Sequence, residues 1–134
     1  MTLKPVGKPA SEGGHGGGSN RCIPHNPMIN AGAIMSVSMV FPAYNRQKRL
    51  EKVLEFWKQL TNGAANTEDG KPPIGYDDDT YKSESATADR NWCLGYMMKE
   101  CNAWPDCFTN LSDTLELYFQ ICSVLATNRA MSLM

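Results

Sequence analysis

Apolar residues recur at helical spacing in two segments of the first half of the chain. Between positions 45 and 62, five of them lie three or four residues apart: Leu50, Val53, Leu54, Trp57 and Leu60. This spacing predicts an amphipathic helix that ends at Asn62–Gly63. Upstream, the run NAGAIMSVSMV from Asn30 to about Val40 predicts a short buried helix. The polar stretch 63–79, which contains two adjacent prolines, predicts a long loop.

The second half of the chain predicts two further helices and the start of a third. One begins around Asp89 and closes near Cys101, with one side formed by Trp92, Cys93, Tyr96, Met97 and Glu100. The next opens at Ser112 or Asp113, where Asp113 and Glu116 have the spacing of a capping box. It is apolar on most sides and is therefore predicted to be buried. Thr127 is the candidate cap of one more helix.

Composition limits the classes of protein and partner. The chain has 134 residues, of which 42% are hydrophobic and 20% charged, as in one ordinary globular domain or a piece of one. The net charge of −1, without a basic stripe, argues against nucleic acid. No apolar segment approaches the roughly 20 residues of a membrane span, so we expect no membrane partner. Residues 1–21, with GGHGGGS at Gly13–Ser19, predict a flexible segment, and residues 22–134 a globular domain.

Metal and redox chemistry find little support in the sequence. The five cysteines are odd in number, irregularly spaced and without a C-x-x-C pair, which indicates free thiols in a reducing compartment and no metal site. The acidic run Asp77–Asp79 is predicted to be a solvated loop. HGGG at His15–Gly18 resembles an esterase oxyanion loop, but the G-x-S-x-G partner is absent, so low complexity is the better interpretation.

Four stretches carry a resemblance to a known family. They are PHNPMINAGAI, YKSESATADRNWCLGYMMKE, LELYFQICS and NRAMSLM. In order and wording they resemble the serine-dependent glutaminases, from about Ile23 to Met134. The resemblance implies a mostly α chain, the helical portion of an α/β serine β-lactamase-like (DD-peptidase-like) fold with its sheet largely missing. It also implies hydrolysis of L-glutamine to L-glutamate and ammonia without a cofactor, by a homo-oligomeric parent enzyme.

By position, the resemblance makes four residues substrate-binding: Asn30, Glu84, Asn91 and Tyr118. Glu84 suits the α-ammonium of a free amino acid, and the two asparagines suit its α-carboxylate. The Tyr118 hydroxyl suits the reacting end. Taken singly, each residue has a commoner structural interpretation: a cap for Asn30, a surface carboxylate for Glu84, a first-turn residue for Asn91 and a core residue for Tyr118.

The family's Ser-x-x-Lys nucleophile motif does not occur in this sequence, so no catalytic residue is assigned. We therefore expect residues 22–134 to be a partial glutaminase domain, truncated at both ends and inactive by itself. The alternative is a non-catalytic truncated isoform that acts as a binding or interaction module, and a third interpretation is an unrelated helical interaction domain. The compartment is expected to be intracellular, either mitochondrial or cytoplasmic.

Overall fold

The computed structural model describes residues 4–6, 21–23, 26–61, 70 and 72–134. These residues form six helices: α1 (Asn30–Met39), α2 (Arg46–Leu60), α3 (Asp78–Ala86), α4 (Asp89–Glu100), α5 (Leu111–Cys122) and α6 (Asn128–Leu133). They also form four short strands: β1 (Lys4–Val6), β2 (Arg21–Ile23), β3 (Ile74–Tyr76) and β4 (Val124–Ala126). β1 pairs with β2 and β3 with β4, both antiparallel. The predicted mostly helical character is confirmed, whereas the glycine-rich stretch with His15 and the predicted stop at Asn62–Gly63 lie outside the described residues.

Helix α5 lies at the centre of the packing and contacts α1, α2, α3 and α4. Its Leu115 and Phe119 are fully buried against Ile34 of α1 and Met98 of α4. On the other side, Leu117 packs with Val37 and Leu50 in a second, smaller cluster. Burial of such side chains is the main favourable contribution to folding, so α5 organises the core.

Side-chain caps set the start of four of the described helices, α2, α3, α5 and α6. Asn45 accepts a hydrogen bond from the Lys48 N–H at 2.9 Å and starts α2. Thr127 caps α6 as predicted, by accepting from the Ala130 N–H at 3.1 Å. The predicted start of α5 at Ser112 or Asp113 is wrong. Asn110 caps the helix, which begins at Leu111, one residue before Ser112.

The predicted loop over residues 63–79 is wrong at residues 74–76 and from Asp78 onward, whereas the described residues 70, 72 and 73 lie outside helices and strands. Residues 74–76 form β3, and α3 begins at Asp78. Asp77 is the N-cap, with its carboxylate accepting from the Thr80 N–H at 3.1 Å. The acidic run is therefore a helix N-terminus, where negative charge is favourable, and not a loop.

The side of α4 that the sequence singled out is mostly exposed. Cys93, Tyr96 and Met97 are exposed, whereas Gly95 and Met98 are buried. The reason is the glycine: a Cβ at Gly95 would lie 2.4 Å from Leu111 Cδ1 on α5. The buried row of α4 therefore contains a residue that carries no apolar signal in the sequence.

A buried arginine caps the C-terminal end of α1. Arg49 of α2 is 3% exposed; its Nε donates to the Val40 carbonyl at 2.8 Å and its Nη2 to the Val37 carbonyl at 2.6 Å. Burial lowers the pKa of Arg49, and the negative charge of Asp113 opposes that shift. The guanidinium satisfies carbonyls that the end of a helix leaves without partners.

Two further predictions concern thiols and membranes. Of the four cysteines whose side chains the structure describes, none forms a disulfide. In the described ranges, every helix is too short or too polar to span a bilayer.

Candidate functional site

A tight turn positions Asn30 at the first residue of α1. The Asn26 side chain accepts from the Met28 N–H at 2.8 Å, which fixes the turn before the helix. A Cβ at Gly32 would lie 1.8 Å from the Asn26 carbonyl oxygen, so this turn can lie against α1 only where residue 32 is glycine. The cap position is Ile29, whose side chain cannot accept a hydrogen bond. The side chain of Asn30 is therefore not a cap.

The Asn30 side chain instead contacts Asn91. Its Nδ2 donates to the Asn91 Oδ1 at 3.0 Å, and the two residues are 61 positions apart in sequence. Asn91 lies in the first turn of α4, so two helix N-termini meet at this contact. After this bond, one N–H of Asn30 and both N–H groups of Asn91 can still donate. Amide donors and the positive ends of two helix dipoles together favour a carboxylate.

A cavity of about 680 Å³ lies beside this amide pair. It is lined by six residues: Ile29, Asn30, Asp89, Arg90, Cys93 and Leu94. Arg90 was not selected from the sequence, although it stands inside the stretch that carries the family resemblance. It adds a cation to the lining, next to the carboxylate of Asp89.

The second pair of predicted site residues comes from α3 and α5. Glu84 is exposed near the end of α3, and Tyr118 is half-buried on α5, edge-on to Phe119 with 5.8 Å between ring centroids. Burial raises the pKa of Tyr118 to about 12, and Cys122 and the charge of Glu84 act in the same direction. The hydroxyl is therefore protonated at neutral pH and can donate a hydrogen bond.

Asn30 and Asn91 are thus in direct contact, whereas Glu84 and Tyr118 interact electrostatically. Among the described residues, no hydrogen bond or ion pair joins Asn30 or Asn91 to Glu84 or Tyr118. The chain itself links the pairs, since the two residues between α3 and α4, Thr87 and the buried Ala88, separate the helix of Glu84 from that of Asn91. The role of the four residues in binding stays a prediction.

One contact near the site was not predicted. The Tyr81 hydroxyl on α3 donates to Glu116 Oε2 on α5 at 2.5 Å, and Arg46 Nη1 lies 3.7 Å from the same oxygen. Periodicity contains no signal for it, because the partners are 35 positions apart and Glu116 was interpreted as part of a capping box.

Comparison with solved structures defines the fold class of the protein. The structure matches that of a probable glutaminase from Bacillus subtilis with a TM-score of 0.66 and 32% identity, over 82% of this chain and 31% of that one. A second solved structure, of Mglu in its glutamate form, matches with a TM-score of 0.64 and 30% identity, over 82% of this chain and 23% of that one. The chain therefore has the helical portion of the serine β-lactamase-like fold, as predicted.

The family follows from the sequence comparison. The family model described as Glutaminase matches residues 17–134, and the chain belongs to that family. The mitochondrial liver isoform of glutaminase from Rattus norvegicus is 36% identical over 112 residues, which are 84% of this chain and 17% of the relative. The chain thus spans about a sixth of the length of this curated relative.

Proposed function

We propose that this protein is a glutaminase that hydrolyses L-glutamine to L-glutamate and ammonia, and that the present chain contributes part of the substrate pocket. The observation that carries the proposal is the 3.0 Å bond between Asn30 and Asn91. It joins the first two of the four stretches that resemble glutaminases, at a place where amide donors and two helix N-termini converge. Membership of the glutaminase family and the fold shared with solved glutaminases support the same activity.

Free glutamine is a zwitterion at its α-carbon, and a site that removes it from water must satisfy both charges. In our proposal the amide donors of Asn30 and Asn91 bind the α-carboxylate. Glu84 binds the α-ammonium through a charge-assisted hydrogen bond, the stronger class of such bonds. Arg90 and Asp89 both line the cavity beside the amide pair, so the lining adds one cation and one anion.

In the proposal, Tyr118 acts as a hydrogen-bond donor. Because its pKa is raised to about 12, the phenol keeps its proton at neutral pH and is available as a donor. It can orient the side-chain amide of glutamine or stabilise charge that develops on the amide oxygen. We assign no nucleophile to this chain, since none of its serines is followed by lysine three residues later.

We also propose an intracellular location and a homo-oligomeric enzyme. The location is supported by a relative that is named as mitochondrial, and a cytoplasmic site is the alternative. Fractionation of cells that express the tagged full-length protein distinguishes the two compartments. Light scattering on the purified protein gives the subunit number.

The proposed function is tested by a coupled glutamate assay on the full-length protein, with Glu84→Ala as the variant. Loss of a charge-assisted bond to the substrate is expected to raise KM for glutamine about tenfold or more. Glu100→Ala is the matched control, because Glu100 is also an exposed helical glutamate but lies at the far end of α4. Absence of glutamine turnover in the unmodified protein contradicts the proposal. Unchanged kinetics in Glu84→Ala remove Glu84 from the site.

A further inference from the structure

Helix α3 carries Glu84 but is weakly anchored by apolar packing. The structure describes all of its residues, 78–86, and none of them is buried. Its N-terminus is tied to the β3–β4 ribbon region, where the Asp77 N–H donates to the Ser123 carbonyl at 3.0 Å. A contact further along the helix is needed to fix the direction in which Glu84 points.

Tyr81 makes that contact. Its hydroxyl donates to Glu116 at 2.5 Å, and its ring packs at the edge of the main core and against Tyr76, with 6.4 Å between ring centroids. The Glu116 side chain is 20% exposed, so most of the carboxylate that accepts this bond is shielded from water. The bond to Glu116 raises the pKa of Tyr81 to about 12, and the phenol therefore remains a donor at neutral pH.

Tyr81 and Glu84 are three residues apart and lie on neighbouring positions of one helix face. The partner, Glu116, lies on α5, two residues before Tyr118. A bond between Tyr81 and Glu116 thus fixes the helix of one predicted substrate residue to the helix of another. Because α5 is the buried centre of the fold, it provides a rigid reference for α3.

We propose that Tyr81 is a positioning residue that holds Glu84 in place through its hydrogen bond to Glu116. The inference rests on the proposed function, since Glu84 must bind substrate for its position to matter. Tyr81 itself does not touch the substrate; it acts through Glu84. Loss of the hydroxyl leaves the ring in place and frees α3 to turn or shift relative to α5.

The first measurement is steady-state kinetics of Tyr81→Phe in the full-length protein. We expect a rise in KM for glutamine of about 3- to 10-fold, the equivalent of one hydrogen bond, with a smaller change in kcat. Tyr44→Phe is the matched control, because Tyr44 is about half exposed in the turn between α1 and α2. An unchanged KM in Tyr81→Phe overturns the inference.

The second measurement separates positioning from general destabilisation by a double-mutant cycle. In a Glu84→Gln background, Tyr81→Phe is expected to have little further effect on kcat/KM, because its target has already been removed. A full additional loss in that background shows that Tyr81 acts elsewhere and overturns the inference. Glu116→Leu is expected to raise KM as Tyr81→Phe does, and Glu116→Gln, which retains an acceptor oxygen, is expected to raise it less.

The third measurement requires no turnover. Amide hydrogen exchange of Tyr81→Phe is expected to accelerate in residues 78–86 and to remain unchanged in α5. Faster exchange without a change in KM shows that Tyr81 stabilises α3 but does not position Glu84. This result overturns the inference and leaves the proposed function intact. Lack of turnover in the unmodified protein overturns the proposed function and the role of Tyr81 with it.

Discussion

Helices α5 and α3 lie side by side and are stabilised in different ways. Of the twelve residues of α5, six are buried, including Leu115, Leu117 and Phe119, each 0% exposed. None of the nine residues of α3, all described by the structure, is buried. α3 is instead held by its Asp77 cap, a backbone bond to Ser123 and the bond from Tyr81 to Glu116.

The difference teaches how each helix presents a predicted site residue. Tyr118 stands on a helix that cannot move without disrupting the core, whereas Glu84 stands on one held by a few polar contacts and the partly buried ring of Tyr81. Helices with few buried apolar contacts open at a lower free energy than the global unfolding free energy. Glu84 is therefore expected to be the more mobile of the two, and its contacts the more sensitive to conditions.

The largest effect is expected from the core side of α5. Leu115→Ala should lower the free energy of unfolding by about 2–5 kcal/mol, because it removes a fully buried side chain and leaves a cavity. Ser83→Ala, on the exposed surface of α3, is the control and should change it by less than about 0.5 kcal/mol. Urea unfolding of the full-length protein measures both. Similar losses in the two variants would contradict the contrast between the helices.

Removal of the two helix caps should have a smaller effect. Asn110 caps α5 by accepting from the Asp113 N–H at 2.7 Å, and Asn110→Ala should cost about 1 kcal/mol of global stability. Asp77→Ala removes the corresponding cap of α3 and should instead speed amide exchange within residues 78–86. Urea unfolding and hydrogen exchange on both variants test this, and a purely local effect of Asn110→Ala would contradict it.

The smallest expected effect is a difference in how strongly the caps of α3 and α5 depend on pH, because the capping side chain titrates only in α3. Hydrogen bonds from the Thr80 hydroxyl and N–H lower the pKa of Asp77 below its usual value. A lowered folded-state pKa means that the stabilisation is complete above the unfolded pKa of about 3.9 and is lost as the pH falls through the folded pKa. Protection factors of α3 should therefore fall in that acidic range. Asn110 does not titrate, and its Oδ1 accepts from the Asp113 N–H at any pH, so the cap of α5 should weaken less, although its Nδ2 also donates to the Asp113 carboxylate at 2.7 Å. Equal losses in both helices would contradict the assignment.

Apolar patterning accounts for the parts of the fold that could be predicted. The stripe of α2 places Leu50 and Val53 in the core, and the apolar run from Asn30 forms the predicted buried helix. Helix α3 and strand β3 were missed because caps and backbone pairing form them, and neither leaves an apolar period. The inner row of α4 was not predicted, because it includes Gly95, which has no side chain and lets Leu111 approach.

The sequence allowed us to predict which residues form the candidate site, but not which of them contact one another. Family resemblance selected Asn30, Glu84, Asn91 and Tyr118, but the bond between Asn30 and Asn91 spans 61 positions and depends on how α1 and α4 pack. The contact of Tyr81 with Glu116 depends in the same way on the packing of α3 against α5. Long-range polar contacts of this kind follow from tertiary packing, which no local pattern in the sequence encodes.

Helix α1 is tied down at both ends. At its first turn, Gly32 allows the Asn26 carbonyl to approach closely. At its last turn, Arg49 donates to the Val37 and Val40 carbonyls. These contacts at both ends restrain the ten-residue helix, about 15 Å long, against sliding and rotation. The orientation of the Asn30 amide is therefore set in the absence of ligand. Under the binding role proposed for Asn30, little ordering entropy remains to be lost when substrate binds, and Arg49 would favour binding without contacting the substrate.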